Sequence, residues 1–321
     1  MIRIGIIGSG RIAGRFAAEA AFAEGVSLSG VYGVSEQELT AFSAAHGIDF
    51  HTTVFDQLLD RVDAVYIASP HLTHYEYSRK AMERGRHVLC EKPVTLLSAE
   101  ASELYRMAAA NDLVFMEALK TACAPGFVEL VNVCKSGIIG QIRNIDATFT
   151  KLMSGHTREL QKDQAGGSMT ELSSYPLLAA VRLLGTDFTG TETISFFDRE
   201  LDVDLFSRIT LLYPGAVFTG KVGLGVKSEG DLIIAGTKGY VYVPSPWWKT
   251  NYFEARFEDP SVVQQFSFPF EGDGLRYELR EFTEMIATGR RDLNRLTAAE
   301  SVAIIRVIEK FLRRENVRYI A

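Results

Sequence analysis

The chain has 321 residues, 47% of them hydrophobic and 23% charged, with a formal net charge of -6. Such a length suffices for two domains with substantial cores, and mild acidity provides no basic footprint for nucleic acid or an anionic membrane. No apolar run reaches the roughly 18 to 20 residues that span a bilayer. The opening run MIRIGIIG lacks the cationic lead and long apolar core of a signal peptide, so a cytoplasmic protein is expected.

Three cysteines, Cys90, Cys123 and Cys134, have no metal-type spacing, and an odd count suits a reducing compartment better than a disulfide framework. The six histidines form no HExxH-like pair. His71 and His74, three apart, suit capping or packing, and no metal is expected.

In chain order, strand patterns at 2–7, 26–32, 64–68, 87–90 and 114–117 alternate with helical patterns at 11–23, 36–46, 55–59, 74–84 and 99–111. This alternation predicts right-handed crossovers and a doubly wound α/β domain over 1–120, its parallel sheet covered on both faces. A helix over 125–137 follows. Strand runs then succeed one another at 143–151, 192–197, 204–213, 216–223, 231–235, 240–243 and 253–257, before helices at 275–288 and 297–314. Residues 121–321 are therefore expected to form an α+β domain with a large, mostly antiparallel open sheet. Imperfect alternation over 204–213 suggests a sheet face that needs cover, hence a homodimer or homotetramer through this sheet.

The first strand runs into Gly8-Ser9-Gly10-Arg11-Ile12-Ala13, the GxGxxG/A fingerprint of a Rossmann dinucleotide site. Gly8 permits the tight turn, Gly10 admits the pyrophosphate, and Ala13 allows close helix packing. The helix start then offers free amide hydrogens to the phosphates. The second strand ends at Gly33 where an NAD-preferring site carries an acid, and Ser35-Glu36-Gln37-Glu38 reads as a capping box. NAD or NADP is expected, with a preference for NADP, whose 2′-phosphate Ser35 and Arg11 would receive. Ser69-Pro70, with His71 and His74 beyond it, forms a further loop over the same crevice.

The run His87-Val88-Leu89-Cys90-Glu91-Lys92-Pro93 ends the fourth strand. Pro93 has no amide hydrogen and biases Lys92 away from helix, so Glu91 and Lys92 fall at the carboxyl edge of the sheet, where ligands bind.

Gly8-Ser9-Gly10, the run from Ala64 to His74, Glu91-Lys92-Pro93, Met116-Glu117-Ala118 and the stretch Gly166-Gly167-Ser168-Met169-Thr170-Glu171-Leu172-Ser173-Ser174-Tyr175-Pro176 together resemble the Gfo/Idh/MocA family of NAD(P)-dependent oxidoreductases. The likeness spans nearly the whole chain. It is nearest the tyrosine-containing branch of dihydrodiol dehydrogenases, xylose dehydrogenases and glucose-fructose oxidoreductase. By that resemblance Lys92 binds beside the nicotinamide and polarises the substrate oxygen, Tyr175 is the acid/base, and Glu171 stands in an aspartate's place. Tyr175 and Glu171, four apart, would share a helical face, and a nearby ammonium favours phenolate. Glu171 either anchors Lys92 or binds a substrate hydroxyl. Ala122 replaces an arginine common in relatives, which Lys120 would compensate at the substrate. His156, in a loop after a long strand, is a further substrate candidate, and Trp247 and Trp248 read as packing.

The expected activity is hydride transfer between nicotinamide and a sugar, polyol or related hydroxy/oxo compound. A non-catalytic NAD(P)-binding sensor or scaffold, or an enzyme using bound NAD for transient oxidation, are the alternatives.

Overall fold

The structure, a computed structural model, describes residues 1–320, leaving only Ala321 of the expected second domain outside the described residues. Two compact units emerge, Met1–Cys123 with Glu271–Ala298, and Ala124–Phe270 with Ala299–Ala321. Among the described residues no helix is long and apolar enough to cross a membrane.

The first unit runs β1 (Ile2–Ile7), α1 (Arg11–Ala20), β2 (Val26–Tyr32), α2 (Glu36–His46), β3 (His51–Thr52), α3 (Phe55–Leu59), β4 (Ala64–Ile67), α4 (His74–Glu83), β5 (His87–Glu91), α5 (Ser98–Ala110) and β6 (Phe115–Ala118). Its six-stranded sheet has the order β3-β2-β1-β4-β5-β6, and every pairing is parallel. The order reverses between β1 and β4, so the loops leaving their carboxyl ends border the crevice in which such sheets bind ligands. Helix α1 is shorter than its pattern predicts. Phe22 and Ala23 instead bond back three residues, to Glu19 and Ala20, tightening the end into a turn.

Downstream in the chain lie α6 (Pro125–Lys135), β7 (Ile142–Thr150), α7 (Ser168–Leu172), α8 (Ser174–Leu184), β8 (Gly190–Asp198), β9 (Val203–Tyr213), β10 (Ala216–Gly223), β11 (Leu232–Gly236), β12 (Gly239–Val243), β13 (Tyr252–Phe257), β14 (Val263–Ser267), α9 (Leu275–Thr288), α10 (Ala298–Leu312) and β15 (Val317–Ile320). The segment 271–298, which a linear division at 120/121 leaves with the second half, returns to the first unit. The reason is α9. Its Leu275, Leu279, Phe282 and Met285 join Ile4, Ile6, Phe16, Tyr66 and Leu89 in one core. The Arg276 guanidinium also meets the Glu19 carboxylate of α1 at 2.8 Å.

In the second unit nine strands lie in the order β14-β13-β12-β11-β7-β10-β9-β8-β15. Only β7 with β10 and β8 with β15 are parallel, so the mostly antiparallel open sheet is present. Its edge strands, β14 and β15, do not stand out in the sequence. Neither does the stretch of α8 beyond Tyr175, where apolar residues run almost all round the helix. Such a helix carries no amphipathic period to betray it, and nearly every residue of α8 is buried.

Candidate active site

Gly8 sits at φ +105°, and a Cβ there would come within 2.7 Å of the Ala68 carbonyl oxygen, so only glycine lets β1 turn this close to the loop after β4. Gly10 precedes α1 with no side-chain cap, and the space where its Cβ would stand is open. A helix start with no side-chain cap, beside open space, is what a pyrophosphate requires. Arg11 is exposed at the helix start and Ile12 half-buried, while Ala13 is buried within the core. At the end of β2, Gly33 backs onto Leu39. Ser35 caps α2 by accepting from the Glu38 amide at 3.4 Å. The Glu38 carboxylate in turn receives the Ser9 hydroxyl at 3.4 Å, linking α2 to the glycine turn.

His74 is fully buried. Its Nδ1 lies 2.8 Å from the Pro93 carbonyl and its Nε2 2.9 Å from that of Ser69, so the ring joins the Ser69-Pro70 and Lys92-Pro93 turns. Both ring nitrogens thus face protein carbonyls. His71 is buried beside it, ring centroids 5.6 Å apart. Ser69 is tied further by the Thr73 hydroxyl at 2.7 Å.

The turn carrying Lys92 is held from several sides. Glu91 is the last residue of β5, paired in register with Ala118, one residue beyond the predicted strand end. Its carboxylate accepts from the Tyr66 hydroxyl at 2.6 Å and the Lys92 amide at 3.3 Å. Glu117 accepts from the Val94 amide at 3.1 Å. Tyr66 is itself stacked on Phe16, centroids 3.6 Å apart. Behind this turn lies Glu278 of α9, fully buried and overlooked from the sequence because α9 lies far along the chain. Burial and then the Glu91 charge push Glu278 well above the usual carboxylate range, against the pull of Lys120. Burial also raises Glu91, opposed first by Lys92 and then by Tyr66. Two acids share the site, and burial disfavours the charged form of both, with the charge of each weighing against the other.

Lys120, expected at the substrate, instead directs its ammonium to the Asp273 carbonyl at 2.5 Å and opposes the charge of Glu91 and Glu278.

In the second unit Glu171 and Tyr175 lie on α7 and α8, which meet at Ser173. The break follows from Pro176, which lacks the amide hydrogen that would bond back to Leu172. Glu171 is buried, and its carboxylate meets the Arg158 guanidinium at 2.9 Å. Arg158, which opens the short 3-10 turn Arg158–Leu160, went unrecognised in the sequence. Tyr175 is half-buried and packs edge-on to Phe149 at 5.0 Å, and Phe149 stacks on Trp248 at 3.7 Å. Trp247 is fully buried and donates to the Thr148 carbonyl at 2.9 Å, as packing predicts. His156 is exposed in the loop after β7.

Residues 2–119 match the model described as oxidoreductase family, NAD-binding Rossmann fold, and residues 127–242 match the GFO/IDH/MocA C-terminal domain. The chain is 28% identical to scyllo-inositol 2-dehydrogenase (NADP(+)) IolU of Bacillus subtilis, over 99% of this chain and 98% of that protein. It is 25% identical to trans-1,2-dihydrobenzene-1,2-diol dehydrogenase of Danio rerio, over 90% of each. Among solved structures, the 3-ketoreductase KijD10 of Actinomadura kijaniata, in complex with NADP and TDP-benzene, superposes with a TM-score of 0.88 at 23% identity, covering 100% of this chain and 99% of that one.

Proposed function

Because the chain belongs to the Gfo/Idh/MocA family of oxidoreductases, with that family's NAD-binding Rossmann fold, we propose that it moves a hydride between NAD(P) and a polyol, sugar or related hydroxy/oxo compound. The observation that carries this reading is the crevice at β1 and β4, with open space at Gly10 and a lysine turn pinned by His74, Glu91 and Glu117. Gly8, Gly10 and the start of α1 would hold the pyrophosphate, and the absence of an acid at Gly33 favours NADP, with Arg11 and Ser35 nearest the 2′-phosphate. The named substrates of the relatives, an inositol and a vicinal diol, are of the class proposed.

When bound, the nicotinamide supplies or accepts the hydride. The protein's own residues then have four tasks. Lys92 binds the substrate oxygen and draws electron density from the carbonyl in reduction, while Tyr175 gives that oxygen its proton; in oxidation Tyr175 takes the proton as the hydride leaves. The Arg158–Glu171 ion pair steadies the helix turn before Tyr175, and Phe149 with Trp248 offers an apolar wall for the C–H face of a ring. The open sheet of the second unit would join subunits into a homodimer or homotetramer in the cytoplasm.

Fluorescence titration with NADPH and NADH tests the cofactor reading, with tighter NADPH binding expected; failure to bind either would contradict it. Reduction of NADP on addition of scyllo-inositol or another polyol tests the reaction.

A further inference from the structure

Asp204, at the start of β9, is a buried carboxylate that the proposed chemistry does not use. Its Oδ2 accepts the Met169 amide at 3.0 Å and the Ser207 hydroxyl at 2.6 Å. Its main-chain oxygen accepts from the Ser168 hydroxyl at 2.8 Å, and Ser168 Oγ in turn accepts the Leu224 amide at 3.0 Å. Gly167, at φ +118°, lies so close that a Cβ there would stand 2.3 Å from Asp204 Oδ1. Three consecutive residues at the entry to α7 are thus set against one aspartate. Four to eight residues further on come Glu171 and Tyr175.

We propose that Asp204 is the positioning residue for this segment: it fixes where α7 begins, and so where Glu171 and Tyr175 are presented. The proposal rests on the reading of Tyr175 as the acid/base. An anion at a helix start also meets the positive end of the peptide dipoles. Among the described residues no cation offsets it. Ser207 shares its face of the sheet with Ser195, whose hydroxyl contacts that of Ser207; Arg208 and Lys221, adjacent in register, alternate to the opposite face. On α7 the ionisable group is Glu171, which is paired with Arg158. Burial accordingly pushes the Asp204 carboxyl up to about 7, against the pull of Ser207 and the Met169 amide. Near neutral pH it passes between a form that accepts freely and one that carries its own proton.

The test compares Asp204→Ala, Asp204→Asn, Tyr175→Phe and the Ala/Phe double variant of the full-length protein, with NADP and scyllo-inositol as probes. Removing the anchor should lower kcat about ten- to a hundredfold, leaving the NADPH affinity within about twofold. Asparagine presents an oxygen to the same two donors, and should recover most of that loss while removing the inflection near pH 7 from the kcat profile. On the Tyr175→Phe background Asp204→Ala should cost nothing further, because it acts through the tyrosine. Hydrogen exchange of the amides at 168–178 is read without substrate, and should quicken in Asp204→Ala while the rest of the second unit keeps its protection. Should Asp204→Ala not fold, Ser207→Ala gives a smaller change in the same segment. Unchanged kcat and unchanged exchange in the alanine variant would overturn the proposal, as would strictly additive losses in the double variant. Full activity in Tyr175→Phe would instead overturn the acid/base reading, whatever Asp204 does.

Discussion

Gly8 and Lys120 show how much a single position reveals about its own function. A Cβ at Gly8 would face the Ala68 carbonyl oxygen at 2.7 Å with φ at +105°, so Gly8→Ala should cost about 1 to 3 kcal/mol in backbone strain. Denaturant unfolding reads that loss, and a cofactor titration should show weaker NADPH binding alongside it. The glycine fingerprint was legible in the sequence because its chemistry is a property of the backbone, local to six residues. Lys120 was not. Its partners, the Asp273 carbonyl and the buried Glu91 and Glu278, come from distant parts of the chain. Lys120→Met should therefore lower stability by about 1 to 3 kcal/mol, the scale of a buried polar group losing its partner. The KM for a polyol should hardly move; a raised KM with an unchanged melting temperature would return Lys120 to the substrate. Arg158 was missed for a related reason, since a loop arginine is told apart from surface charge only by the carboxylate it meets.

At the scale of elements, the alternation of strand and helix disclosed β1 to β6, where each segment has its own period. The destination of α9 was not disclosed. Its apolar face was plain in the sequence, but an amphipathic helix shows that one face is buried without naming the surface that receives it. Phe282 lies fully buried in the first unit's core, and Phe282→Ala should destabilise by about 3 to 5 kcal/mol. Loss of NADPH binding on mild heating, ahead of the wild type, would show that the first unit bears the damage. The contact between α7 and β9 makes a pH prediction. Asp204 is raised from 3.8 to about 7, so the folded state holds a proton that the unfolded chain has released. Stability should fall as pH climbs across that window and level off above it, by at most about 4 kcal/mol. Asp204→Asn should lack this slope when both proteins are unfolded in urea from pH 4 to 8; parallel profiles would show that Asp204 ionises normally.

For the whole molecule, the strand-rich second half announced an open antiparallel sheet, while the edge strands β14 and β15 and the buried stretch of α8 beyond Tyr175 emerged only from three-dimensional packing. Leu212 on β9 and Phe196 on β8 are exposed large apolar residues, and the β8–β9 register sets them on the same face. A homodimer or homotetramer through this face should sediment as such, and Leu212→Glu should shift it to monomer; a wild-type monomer at all concentrations would contradict that assembly. Fold and cofactor class were written in local motifs, whereas the surroundings of each proposed catalytic group depend on contacts between remote segments. The central claim is that Tyr175 carries the proton while Lys92 polarises the oxygen. It is tested most directly by kcat for polyol oxidation with NADP in the wild type, Lys92→Met and Tyr175→Phe, with NADPH affinity measured beside it. The account predicts turnover in the wild type and losses of about a hundred- to ten-thousandfold in both variants, with cofactor still bound; undiminished turnover in either variant would contradict it.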